Sequence, residues 1–159
     1  MNIFLLDKDL EKAAKYHVDK HVIKMRTEYN QLLSSAHLMT GGTAPYRLTH
    51  KNHPAALWVR ENIENYILLW NLNFYLCKEY VFRYGNKKQI SLDILNQLKK
   101  PPKIKNTKEP SLPYSVWKEK DFPELKKSKN IIKTNREFYK TAKQHLINYK
   151  NREVPKWLI

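Results

Sequence analysis

Glycine is nearly missing from this chain, with three residues in 159. No GxxxxGK[ST] loop can be assembled to wrap a phosphate chain, so nucleotide hydrolysis of the P-loop kind is excluded. Cysteine is scarcer still: Cys77 stands alone, which rules out an internal disulfide and fits a reducing compartment. Its apolar neighbours predict a buried, inert thiol. Acidic residues are few, 15 against 30 Lys and Arg, for a net charge of +15. An excess of this size on a small chain calls for a polyanion. Nucleic acid is the expected partner, ahead of anionic membrane, because no long segment joins a basic face to an exposed apolar one. Long apolar runs are absent too. The short one at Ile3 to Leu6 lacks a basic leader and a cleavage site, so neither a signal peptide nor a membrane span is expected. An intracellular location, cytoplasmic or nuclear, follows.

Strand-type alternation and internal repeats are also lacking, and what remains is helical periodicity. The expectation is an all-α fold, one compact monomeric domain over residues 1–159, with two long helices, a short third and a C-terminal helix. Asp7 or Asp9 caps a first helix running from near Leu10 to about Met39, where Gly41 and Gly42 end it. Its apolar phase shifts near Tyr16. A second long helix runs from Pro54, a favourable first position, to about Tyr84, and Gly85 stops it. Its aromatics Tyr66, Trp70 and Phe74 read as core. Ser91 caps a short helix ending before Pro101, and a basic, proline-punctuated loop covers residues 99–113. Lys99, Lys100, Lys103, Lys105 and Lys108 in that loop suit phosphate contacts. Trp117 and Phe122 are expected to fold back onto the core from an irregular stretch, Tyr114 to Leu125. The last helix spans about Asn130 to Tyr149, with Ile131, Phe138, Ala142 and Leu146 inward, and the tail from Arg152 is apolar enough to dock.

The stretch Tyr16 to Glu28, YHVDKHVIKMRTE, holds the densest chemistry. On a helix His17, His21, Lys24 and Glu28 form one polar row, beside an apolar row of Val18, Val22, Met25, Tyr29 and Leu32. That row reads either as a catalytic cleft or as a structural hydrogen-bond network. The loop YRLTHKNHP, Tyr46 to Pro54, adds His50 and His53 and has functional content, although Asn52 and His53 also suit a helix start. The HxxxH spacing of His17 and His21 resembles a zinc pair, but Asp19 and Lys20 stand between them and the glutamate of HExxH is missing. Neither a metal nor any other cofactor is expected. Ser34 and Ser35 lie inside a helix with no strained elbow to expose a nucleophile. What remains is polyanion binding with proton transfer. A carboxylate such as Glu28 can stabilise the oxocarbenium-like sugar that develops when a nucleoside C–N bond breaks, and a nearby amine can capture the sugar as a Schiff base.

Three segments resemble the small phage pyrimidine-dimer DNA glycosylases of the endonuclease V type. DKHVIKMRTE, Asp19 to Glu28, is similar to that family's short helical motif. The segment from Asn52, NHP, to Arg83–Gly85, RYG, resembles its second helix, and the Arg152 to Trp157 pattern resembles its basic aromatic tail. The chain is closer still to phage and viral proteins of unassigned role that share YHxDKHxxKM, THxNHP and WxR. The resemblance implies an all-helical protein that binds duplex DNA and flips a nucleotide out of the stack. It implies Glu28 as the catalytic glutamate and His21 as a histidine close to DNA. The family's nucleophile is the α-amine exposed by removing the initiator Met, but Asn2 is too large for that removal and about six extra residues precede Asp19. Met1, or else Lys20 or Lys24, is then the candidate amine. Our reading of the sequence is therefore a DNA glycosylase, with or without lyase activity, acting on a damaged or modified pyrimidine. Glu28, His21, Lys24 and Met1 are the catalytic candidates. His17, Asp19, Lys20, Arg26, Tyr46, Arg47, His50, Asn52, His53, Trp58 and Arg60 are the nucleic-acid contacts, with Tyr46 or Trp58 as a stacking platform. The rivals are an inert nucleic-acid-binding protein and a metal-dependent nuclease using His17, His21 and His53.

Overall fold

The computed structural model describes residues 1–85 and 89–159, and among these there are six α-helices, one 3-10 turn and no strand. The helices are α1 Leu10–Lys15, α2 Asp19–Met39, α3 Pro54–Glu61, α4 Ile63–Tyr84, α5 Ile90–Gln97 and α6 Ile131–Lys143. Antiparallel α2 and α4 form the centre, with α1 against α4 and with α3 and α5 each against both. The protein is all-α, and no described helix is long and apolar enough to cross a membrane.

Both long helices are shorter at their starts than the periodicity predicts, because polar groups take over the backbone there. Asp9 caps α1 by accepting from the Glu11 and Lys12 amides, yet the helix stops at Lys15. Val18 is extended (φ −62°, ψ 156°). Its amide donates to the Tyr139 hydroxyl at 2.9 Å, and the Asp19 amide donates to the Asn148 carbonyl at 2.9 Å. Donors that would have continued α1 are thus spent on the C-terminal third of the chain. The phase shift at Tyr16 marks this break. Asn62 does the same between α3 and α4: it is extended, its Oδ1 accepts from the Glu64 amide at 2.8 Å, and its Nδ2 donates to the Lys108 carbonyl at 2.9 Å. Two smaller differences follow. Gln89, not Ser91, precedes α5, and α6 gives way to a 3-10 turn at Gln144–Leu146, ending before Tyr149.

The predicted apolar row of α2 is confirmed, with Val18, Val22, Met25, Tyr29 and Leu32 all at most 2% exposed. Burial of each such side chain contributes roughly 1.5–3 kcal/mol. Cys77 and Tyr66 are buried, Trp70 and Phe74 are partly so, and Trp117 and Phe122 do fold onto the core. Gly85 ends α4 with φ +82°, in the left-handed region that costs glycine least.

The N-terminal lead, Ile3 to Leu6, is fully buried between α2 and α6. Asn135 of α6 donates to the Leu5 and Pro113 carbonyls, and Arg136 donates to the Leu6 carbonyl at 2.7 Å. The tail is pinned in turn by a buried ion network. Arg83, with its side chain 0% exposed, donates to Asp19 at 2.9 Å and Glu79 at 2.7 Å, and Arg152 holds both Glu79 oxygens at 2.9 Å. Asp19 also accepts from the Lys150 amide at 3.0 Å. The three segments that carry the family resemblance therefore meet in space.

Candidate functional site

The Asp19 side chain turns into the ion network just described, so α2 presents His21, Lys24 and Glu28 on its other polar line. These three line a cavity of about 320 Å³, at the small end of ligand sites. Met1, Asn2 and Phe4 close it on the N-terminal side, Trp117 and Phe122 from the irregular stretch, and Phe138 and Lys143 from α6. All four catalytic candidates, Met1, His21, Lys24 and Glu28, share this one cavity. Lys24 Nζ stands 3.1 Å from Glu28 Oε1, an i, i+4 pair in which the glutamate side chain is 15% exposed and the lysine 69%. Asn2 fastens Met1 at the rim, because its Nδ2 donates to the Val116 carbonyl and its Oδ1 accepts from the Val116 amide, both at 2.8 Å.

His21 is stacked on Phe4, with centroids 4.6 Å apart and an 8° interplanar angle. Its Nδ1 lies 2.8 Å from the Tyr139 hydroxyl. That hydroxyl also accepts from the Val18 amide at 2.9 Å, and the imidazole tautomer sets which partner donates in its bond to Nδ1. Burial first, then repulsion from His17, Lys143 and Lys24 in that order, pushes the His21 pKa down to about 3. The ring is neutral at physiological pH and acts as a hydrogen-bonding group, not as a cation.

The remaining sequence-predicted residues divide. His17 is 0% exposed and belongs to a chain of hydrogen bonds: the Phe4 amide donates to the Tyr29 hydroxyl at 3.0 Å, which faces His17 Nε2 at 3.5 Å, while His17 Nδ1 donates to the Ala13 carbonyl at 2.8 Å. Burial lowers its pKa to about 4. Such a ring has no surface left for a nucleotide. Arg26 is likewise buried, flat on Tyr80 at 3.6 Å and bonded to the Val22 carbonyl, in place of the expected phosphate contact. Trp58 is 8% exposed and its indole N–H donates to Ser111 at 3.1 Å, so it braces the basic loop instead of offering a stacking face.

His53 caps α3, its Nδ1 accepting from the Ala55 amide at 3.1 Å. Its pKa is lowered by burial, then by the Met1 amine and His50, and is opposed by Glu28. It therefore lies within electrostatic reach of the cavity. Lys20, Arg47, His50 and Asn52 are exposed and Tyr46 is half-buried, all free of the cavity lining. Arg60 lines a separate depression with Lys103 and Lys105 from the basic loop. Among the described residues no three His, Cys, Asp or Glu side chains gather as a metal site, and the HxxxH rings are committed to the Ala13 carbonyl and Tyr139.

A larger depression, about 490 Å³, lies on the other side of α6. Its Arg136 is bonded to Asp7 and Leu6, and its Lys140 to the Ile159 carbonyl, so its main cations are already spent. The cavity at Glu28 holds more chemistry. Sequence reasoning missed Phe4, Trp117, Phe138 and Lys143 as its walls. Phe4 and Phe138 carried only an apolar signal and Lys143 was one of many helix lysines, so nothing local distinguished them. No family model, curated protein or solved structure matches this chain. The site is thus read from its own geometry.

Proposed function

We propose that this protein is a DNA-binding base-excision enzyme, an N-glycosylase with amine-based lyase chemistry, acting on a damaged or modified pyrimidine extruded from duplex DNA. The observation that carries the reading is the shared cavity of Glu28, Lys24, His21 and Met1. Its walls are aromatic: Phe4 stacks on His21, and Trp117 stacks on Phe138 at 5.3 Å. Phe4 and Phe138 are buried in these pairs, and the partly exposed Trp117 and Phe122 keep ring surface that suits a base removed from its stack. The neutral His21 can hydrogen-bond a base edge. Glu28 supplies a fixed negative charge for the cationic sugar that forms as the C–N bond breaks, and the low local dielectric strengthens that interaction. The net charge of +15 favours the phosphate backbone.

The test is base release and borohydride trapping on a duplex panel of ultraviolet-damaged, abasic, uracil-containing and 5-modified pyrimidine DNA, with and without EDTA. Base release that survives EDTA and falls by about 100-fold or more in Glu28→Gln is expected, with DNA binding unchanged. Salt-sensitive binding to every duplex without base release would favour an inert binding protein. Loss of activity in EDTA would favour a metal-dependent nuclease.

A further inference from the structure

Four amines line the cavity at Glu28, those of Met1, Lys24, Lys118 and Lys143, and they are not equivalent; Lys118 is exposed. Met1 carries its amine on the main chain, without a flexible stem, next to Asn2, whose side chain makes two bonds to Val116 at 2.8 Å. Lys24 is 69% exposed in its side chain and already paired with Glu28. Lys143 differs from the other three. It leaves the last turn of α6 and lines the cavity half-buried. Its Nζ lies 5.9 Å from the Phe4 ring centroid and 5.8 Å from that of Phe138. Among the described residues it forms no ion pair.

Resting on the base-excision reading above, we propose that Lys143 is the amine that bonds to the sugar, in preference to Met1, Lys20 or Lys24. Its four-carbon stem lets the nitrogen travel within a cavity that it shares with Glu28. Burial first, then the charge of Lys24, lowers its pKa, with Glu28 opposing, and this raises the fraction of neutral, nucleophilic amine. Glu28 from α2 and Lys143 from α6 thus line one cavity, one to stabilise the cationic sugar and the other to capture it.

The step balances as follows. The Nζ lone pair forms a bond to C1′ while the glycosidic C1′–N bond breaks, its electron pair leaving on the base. The proton lost from Nζ goes to the base. The C1′–O4′ bond then opens, O4′ takes a proton from solvent, and the nitrogen lone pair completes a C1′=N iminium. Borohydride delivers hydride to that iminium carbon and leaves a stable secondary amine.

The experiment is trapping on the active member of the duplex panel followed by peptide mapping, in the wild-type protein and in Lys143→Arg, Lys143→Gln and Lys24→Gln. The expected result is an adduct on the peptide carrying Lys143. The adduct should vanish in both Lys143 variants while duplex binding by Lys143→Arg persists, and whatever adduct Lys24→Gln forms should still map to Lys143. An adduct mapped to Met1, Lys20, Lys24 or Lys118, or one undiminished in Lys143→Arg, overturns the assignment and leaves base excision standing. Base release without any adduct overturns it too. Neither release nor adduct on any duplex overturns the functional reading itself.

Discussion

Replacing Arg83 by Met tests whether the buried ion network is what fastens the C-terminal tail to α2 and α4. The guanidinium is 0% exposed and donates to Asp19 at 2.9 Å, Glu79 at 2.7 Å and the Lys15 carbonyl at 2.9 Å. Methionine fills part of the volume but leaves two carboxylates without their shared cation. Removing one partner of a buried ion pair costs about 3–5 kcal/mol. The lower end applies, since Glu79 keeps both bonds from Arg152 and Asp19 keeps the Lys150 amide. A loss of about 3 kcal/mol corresponds to a urea midpoint lower by about 1.5 M at a slope of about 2 kcal/mol/M. The thermal midpoint should fall by about 6–12 °C. Adding Asp19→Asn should recover part of the loss, because it removes one of the stranded charges. Equilibrium urea unfolding followed by circular dichroism reads both. A change below about 1 kcal/mol in Arg83→Met would refute the argument, and would mean that Arg152 and the Lys150 amide suffice.

Three more outcomes follow from other parts of the molecule. His17 and His21, with pKa values lowered to about 4 and about 3 from an ordinary 6.5, bind fewer protons folded than unfolded. Stability should therefore be full above pH 6.5 and fall as pH drops below it, by about 2 kcal/mol per histidine between pH 6.5 and 5. Urea midpoints at pH 7, 6 and 5 measure this, and a flat profile down to pH 5 would contradict the neutral, buried assignment. Arg60, Lys103 and Lys105 share one depression, so Lys103→Ala with Lys105→Ala should make the log–log salt dependence of duplex binding shallower by about 2. An unchanged slope would take that surface out of the DNA interface. Cys77 is 1% exposed and burial pushes its thiol up to about 11. It should resist iodoacetamide at pH 8 in the native protein and react once unfolded, and rapid native alkylation would show the core to be open there.

Helix identity, the two glycine stops, the Pro54 start and the apolar row of α2 were all legible in the sequence. Each depends on near neighbours, through periodicity, capping or left-handed backbone. Charge composition and the lone cysteine likewise stood on the page. The polar row from His17 to Glu28 was legible only as a list. Its two ends proved different in kind, because Val18 and Asp19 spend their amides on Tyr139 and Asn148, more than a hundred residues away. That break buries His17 and leaves His21, Lys24 and Glu28 at a cavity. Asp19, Arg83 and Arg152 were noted as separate motif residues, and only long-range folding joins them through Glu79 into one network. Tertiary structure also decided that Arg26 and Trp58 face inward, and that Phe4, Trp117, Phe138 and Lys143 complete the site. Local chemistry sets which residues can form a helix. Which wall faces which is a property of packing between segments far apart in the chain, where no spacing rule applies.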